Sequence, residues 1–156
     1  MNNTFQNINL LFFMGFFLVA CSSDHPDLNI QKVSKYSNEI PGLKMRTLIK
    51  GSGETANYGD TLKMHYTGWL YDANTINNHG NKFDSSLDRG KLFEFKLGVD
   101  PLIKGWELGV TNMSVGESRE LIISPEMGYG DRSLGGIPPQ STLLFHVELM
   151  DLVKID

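Results

Sequence analysis

The sequence predicts an α+β fold, a twisted antiparallel β-sheet wrapped around one short α-helix. Three observations predict it. After Pro41-Gly42, apolar and polar residues alternate in several separate runs, the period of strands with one buried and one wet face. After Pro101 the apolar residues switch to three- and four-residue steps, the period of an amphipathic helix. A sheet with one apolar face needs a cover, and that segment is the only helix on offer.

The elements follow in order. Residues 43–50 read as a weak first strand. Thr61–Tyr71 alternates best, with Leu62, Met64, Tyr66, Gly68 and Leu70 on one face and Thr61, Lys63, His65, Thr67 and Trp69 on the other. In 91–97, Phe93, Phe95 and Leu97 share a side. Residues 118–124 and 142–152 repeat the pattern, the second through Leu143, Phe145, Val147 and Leu149. The helix is carried by Ile103, Trp106, Val110 and Met113; Pro101 suits its approach, and residues 112–116 suit its exit.

The chain divides into a head at 1–20, a polar stretch at 21–40 and one domain at 41–156. The run LLFFMGFFLVA at 10–20 has eleven residues without a charge. That is short for a spanning helix, which needs about 20, and suits the apolar core of a signal peptide. It ends in Leu18-Val19-Ala20-Cys21, which resembles a bacterial lipobox. The resemblance implies cleavage before Cys21, lipidation of its thiol, and a protein lipid-anchored to a membrane of the cell envelope. Residues 1–9 lack Lys and Arg, so the α-amino group alone supplies positive charge there. Residues 22–40 are polar with little periodicity and read as a tether.

Composition excludes several functions. A net charge of −4 with no basic run gives no footprint for nucleic acid. A single cysteine excludes an internal disulfide and a cysteine-cluster metal site. The four histidines, His25, His65, His79 and His146, are scattered along the chain without ligand spacing, so neither a metal nor a cofactor is expected. No nucleophile–base pair or phosphate loop can be assembled. What remains is a set of aromatics at inward positions: Tyr66, Phe83, Phe93, Trp106, Tyr129 and Phe145. By composition alone they form a core cluster.

Local motifs give the cluster a second meaning. HYTGWL (65–70), KFDSSLDRG (82–90), LIKGWELGV (102–110), MSVGESREL (113–121), MGYG (127–130) and IPPQSTLLFHVEL (137–149) occur in this order. Together they resemble the FKBP family of peptidyl-prolyl isomerases, over essentially the whole domain. The resemblance implies a pocket floored by Trp106, on which a substrate proline ring lies, walled by Tyr66, Phe83, Phe93, Leu102, Ile103 and Phe145. It implies that Asp84 is the pocket carboxylate with Arg89 as its ion-pair partner. The Tyr129 hydroxyl and the Ile103 backbone N–H would reach substrate carbonyls, and Ile137 would close the rim. The expected partners are proline-containing polypeptides, met by a monomer that needs no cofactor.

Two departures stand out. Eleven residues (YDANTINNHGN, 71–81) lie where the family usually has a turn of about four, and their composition reads as a polar loop. The DRSLGGI stretch (131–137) is one residue shorter than usual, leaving Ser133 or Leu134 near the pocket edge. Besides catalysis, the sequence leaves open a prolyl-peptide-binding or chaperone module on the same fold, and a purely structural envelope lipoprotein.

Overall fold

Every alternating run forms a strand in the computed structural model, which describes residues 35–155. The strands are β1 (Ser37–Ile40), β2 (Leu43–Ile49), β3 (Thr61–Tyr71), β4 (His79–Ser85), β5 (Phe93–Lys96), β6 (Ser118–Ile123) and β7 (Leu143–Val153). One α-helix, α1 (Lys104–Val110), and 3₁₀ turns at Ile76–Asn78 and Pro125–Met127 complete the elements among the described residues. All pairings are antiparallel, in the order β1-β2-β6-β7-β3-β4. Strand β5 shares the outer edge of β3 with β4: β5 pairs with Thr61 to Met64, and β4 with Thr67 to Tyr71. This is the expected α+β sheet around one helix. The apolar run at 10–20, Cys21 and most of the tether lie outside the described residues.

Strand β1 falls within the stretch read as tether. Gly42, at φ +79°, reverses the chain after Pro41, so that Ile40 pairs with Leu43 and Ser37 with Met45. A four-residue edge strand reading SNEI carries no apolar alternation, and only its turn marked it. In β7 the inward set is the expected one through Leu149; there an extra residue breaks the register with β3. Asp151 pairs with Lys63 and Leu149 with Met64, so Met150 bulges out and Leu152 returns to the core.

The core lies between the sheet's concave face and α1. Leu62, Met64, Leu121, Ile123, Leu143, Val147 and Leu149 supply the sheet side; Trp106, Val110 and the following Met113 supply the other. Two glycines one helical turn apart set how close α1 comes. A Cβ on Gly105 would meet Ile123 Cγ2 at 2.5 Å, and one on Gly109 would meet Leu121 Cδ1 at 2.7 Å. The helix stops at Val110, and Arg119 from β6 satisfies its end. Its guanidinium donates to the carbonyls of Gly109 (2.9 Å), Thr111 (3.1 Å) and Asn112 (3.1 Å). A cation at a helix C-terminus also meets the negative end of the helix dipole.

Candidate active site

The concave face of the sheet ends, beside α1, in an open cavity of about 480 Å³. Tyr66 from β3, Phe83 and Asp84 from β4, Phe93 from β5, Trp106 from α1 and Phe145 from β7 line it. The approach to the helix adds Pro101, Leu102, Ile103 and Lys104, and the loop after the second 3₁₀ turn adds Gly128, Tyr129 and Arg132. Trp106 is the hub. The residue is 4% exposed, and its ring meets Tyr66 at 5.2 Å (88°), Phe145 at 5.5 Å (87°) and Phe93 at 5.9 Å (79°). Phe83 meets Phe145 at 5.5 Å and 83°. Edge-to-face pairs of this kind contribute about 0.5–1.5 kcal/mol each beyond the area they bury. The result is a stiff cage whose faces remain turned to the cavity.

Gly68 makes room for one wall. A Cβ there would lie 2.6 Å from Phe83 Cζ and 2.7 Å from Phe145 Cε1. Ile103 is the N-cap of α1 and extended (φ −67°, ψ 145°), so its own N–H stands outside the helix ladder, at the cavity wall. Tyr129 is held by its loop: Gly130 N–H donates to Pro125 O at 2.8 Å, and Gln140 N–H to Gly130 O at 2.8 Å.

One polar cluster breaks the apolar lining. Tyr66 and Arg89 both donate to the Asp84 carboxylate, and Arg89 also reaches the Tyr66 hydroxyl at 2.8 Å. Burial pushes Asp84 up, but the hydrogen bonds from Tyr66 and Arg89 outweigh it and hold the carboxyl below its usual range. Burial and the neighbouring Asp84 charge push the Tyr66 phenol up, and the same two causes raise Tyr129. The cluster is therefore one carboxylate beside two neutral phenols, with no base that titrates near neutrality.

Of the eleven pocket residues expected from sequence, nine line the cavity: Tyr66, Phe83, Asp84, Phe93, Leu102, Ile103, Trp106, Tyr129 and Phe145. Arg89 stands behind them as the expected partner of Asp84. Ile137, expected at the rim, does not line the cavity. It is 4% exposed and locked in the core by two backbone hydrogen bonds with Leu134. The shortened 131–137 stretch closes on itself at that bridge, leaving Leu134 more than half exposed. Neither Ser133 nor Leu134 reaches the cavity; Arg132 does, with its guanidinium 5.9 Å from the Tyr129 ring centroid. A basic residue three positions after the tyrosine was the available signal.

The 71–81 insert is also more ordered than a polar loop. It turns at Ile76–Asn78 and enters β4 at His79, which pairs with Tyr71. Asn77 and Asn78, both at φ 60°, make the reversal, a conformation asparagine tolerates.

An α+β domain with an open aromatic pocket and one ion-paired carboxylate in its lining defines a class of small-ligand-binding domain. Comparison with known proteins makes the class specific. Residues 52–150 match the family model of the FKBP-type peptidyl-prolyl cis-trans isomerases, and the chain belongs to that family. It is 46% identical over 112 residues to FK506-binding protein 2B of Rhizopus delemar, a match covering 71% of this chain and 51% of that protein. The chain thus spans about half the length of that relative. It is 46% identical over 114 residues to the FK506-binding protein of Neisseria meningitidis serogroup B, covering 72% of this chain and 98% of the relative. Among solved structures, FkpA from Escherichia coli superposes with a TM-score of 0.65 at 38% identity, over 75% of this chain and 51% of that one.

Proposed function

We propose that the chain accelerates cis–trans rotation about Xaa-Pro bonds in polypeptides, taking the proline ring into the cavity above Trp106. The observation that supports this best is the aromatic cage itself, three rings packed edge-to-face around the Trp106 indole, which lines an open cavity. Resonance sets a barrier of roughly 18–20 kcal/mol to peptide rotation. Uncatalysed Xaa-Pro isomerisation takes tens to hundreds of seconds. Reaching milliseconds needs about 10⁴–10⁵-fold, or about 5.5–7 kcal/mol. In the twisted transition state the amide loses resonance and its carbonyl dipole shrinks. A pocket poor in water therefore disfavours the planar ground state relative to the twisted one. The Ile103 N–H and the Tyr129 hydroxyl are the donors that would hold the carbonyl preceding the turning bond. No proton is transferred, which agrees with a site whose ionisable groups lie far from neutrality. The test is turnover of a short Xaa-Pro peptide in a protease-coupled assay. Trp106→Leu should lower the rate at least several-fold while the melt stays cooperative; unchanged turnover would refute this placement of the pocket.

We further propose that the domain is carried as a lipoprotein, anchored through acyl chains on Cys21 in a bacterial cell envelope, where its clients are extracytoplasmic proline-containing proteins. The support is the Leu18-Val19-Ala20-Cys21 sequence after an uncharged run. Each buried methylene contributes about 0.8 kcal/mol, so more than one chain gives stable anchoring. Cys21→Ser should move the protein from the detergent phase to the aqueous or unprocessed pool. Equal retention of the variant would overturn the anchor.

A further inference from the structure

Glu120, His146 and His79 stand on three different strands, yet their side chains converge on the convex face of the sheet, away from the aromatic cavity. The register explains the first pair. Glu120 of β6 lies opposite His146 of β7, both on the face that carries Arg46. His79 arrives differently. It opens β4 at the end of the 71–81 insert, stacks on Trp69 at 4.1 Å and 9°, and brings its ring centroid 5.1 Å from that of His146. One ligand atom from each of the three residues lies within 4.8 Å of the other two.

The chemistry of the cluster is specific. His146 Nε2 lies 2.6 Å from Glu120 Oε2. The other oxygen, Oε1, is taken by Arg46 at 2.9 Å and by the Tyr36 hydroxyl, which fixes the carboxylate with Oε2 toward the imidazoles. Glu120 is 1% exposed, so its orientation is set by partners and packing. His79 Nε2 is buried and has no hydrogen-bond partner among the described residues. A buried ring nitrogen left unpaired carries its full desolvation cost, so its place beside a second imidazole and a carboxylate calls for an occupant.

We propose that His79, His146 and Glu120 bind a first-row divalent transition-metal ion of the imidazole-preferring kind, with Zn²⁺ as the type. Two histidines and a carboxylate are a known three-ligand set for Zn²⁺, leaving a fourth position for water. Metal–ligand bonds of about 2.0–2.2 Å put tetrahedral ligand atoms about 3.3 Å apart. The His146–Glu120 contact must therefore open slightly and His79 must close in, movements of a side chain. Arg46 and Tyr36 then act behind the ligand, on the oxygen that the metal does not use. The Arg46 charge limits the affinity to that of an exchangeable site. Binding would staple the start of β4 to β6 and β7. Phe83 and Asp84 of the pocket lie four and five residues further along β4, so the ion would brace the strand that carries them.

The test uses the full chain in detergent, titrated calorimetrically with Zn²⁺ in a buffer that does not chelate. One saturable site is expected. His79→Asn and His146→Asn should each weaken binding at least about tenfold, while His65→Asn, outside the cluster, leaves it unchanged. Zn²⁺ should raise the melting midpoint of the parent chain and not that of His79→Asn. Should His146→Asn fail to fold, anomalous scattering from crystals of the parent chain soaked in Zn²⁺ locates the ion directly. Absence of saturable binding, equal affinity in His79→Asn, or an anomalous peak elsewhere would overturn the site.

Discussion

Arg119 shows how much one side chain can hold. It is 13% exposed, donates to three carbonyls at the end of α1, and its Nε lies 2.6 Å from Oε1 of Glu117, itself 10% exposed. Removing one partner of a buried pair leaves the other charge without compensation, at a cost of about 3–5 kcal/mol. Three carbonyls at and just past the end of α1 lose their donor as well. Arg119→Met keeps the length of the stem and removes the charge, so it should lower stability in urea by about 3 kcal/mol or more. A loss within about 0.5 kcal/mol, as for an ordinary surface change, would show that water replaces the guanidinium. The helix-end contacts were not legible in MSVGESREL. Its carbonyl partners lie seven to ten positions away and meet Arg119 only once α1 has packed on β6. Aromatic positions were legible because alternation in β3, β5 and β7 sends Tyr66, Phe93 and Phe145 to one face, and the ordered motifs supplied Phe83, Trp106 and Tyr129. His79 was not, because its position depends on how an insert turns.

At the scale of elements, packing decides against propensity. Alanine is favoured over glycine inside a helix by about 1 kcal/mol. At Gly105 and Gly109 the added methyl would enter atoms of Ile123 and Leu121, both fully buried, at under 3 Å. Overpacking costs about 1–3 kcal/mol and cannot be relieved by rotating an exposed side chain. Gly105→Ala and Gly109→Ala should therefore each destabilise the fold by about 1–2 kcal/mol, despite better helix formation. A higher denaturation midpoint in either variant would mean that α1 can lift from β6 without penalty. The 71–81 insert makes the same point in reverse. Composition read it as loop, and cutting such a loop to a short turn costs little entropy. Its last residues instead extend β4, and His79 covers Trp69. A deletion confined to 73–77, where every residue is exposed, is the cut the fold should accept with a shift of a few degrees in midpoint.

For the whole molecule, pH separates the source of stability from the source of catalysis. Among the described residues, Asp60 and Glu120 are the two most deeply buried carboxylates. Asp60, 2% exposed, would be pushed up by burial, but it accepts from Lys154 Nζ (2.9 Å), Asn57 N–H (2.8 Å) and Ile155 N–H (3.3 Å) and is held below its usual range. Glu120 is lowered likewise, its burial outweighed by His146, Tyr36 and Arg46. Their unfolded values are about 3.9 and 4.3. A depressed folded value means stability fully present above the unfolded value and lost as pH falls through the folded one. Urea midpoints should thus be level near neutrality and fall steeply below about pH 4. The gap between the parent chain and Asp60→Asn should shrink over the same range. The pocket behaves otherwise. Asp84 is held low and Tyr66 and Tyr129 are pushed up, so all three move away from neutrality in opposite directions. The histidines among the described residues do not line the cavity. General acid–base catalysis would give a bell-shaped profile, whereas desolvation with fixed donors gives none. The second-order rate on an uncharged Xaa-Pro peptide should therefore be flat between about pH 5.5 and 8.5, with the fold checked by circular dichroism. An inflection near pH 6.5, the value of an ordinary imidazole, that disappears on replacing His65, His79 or His146 would place a histidine in the mechanism and remove the desolvation account.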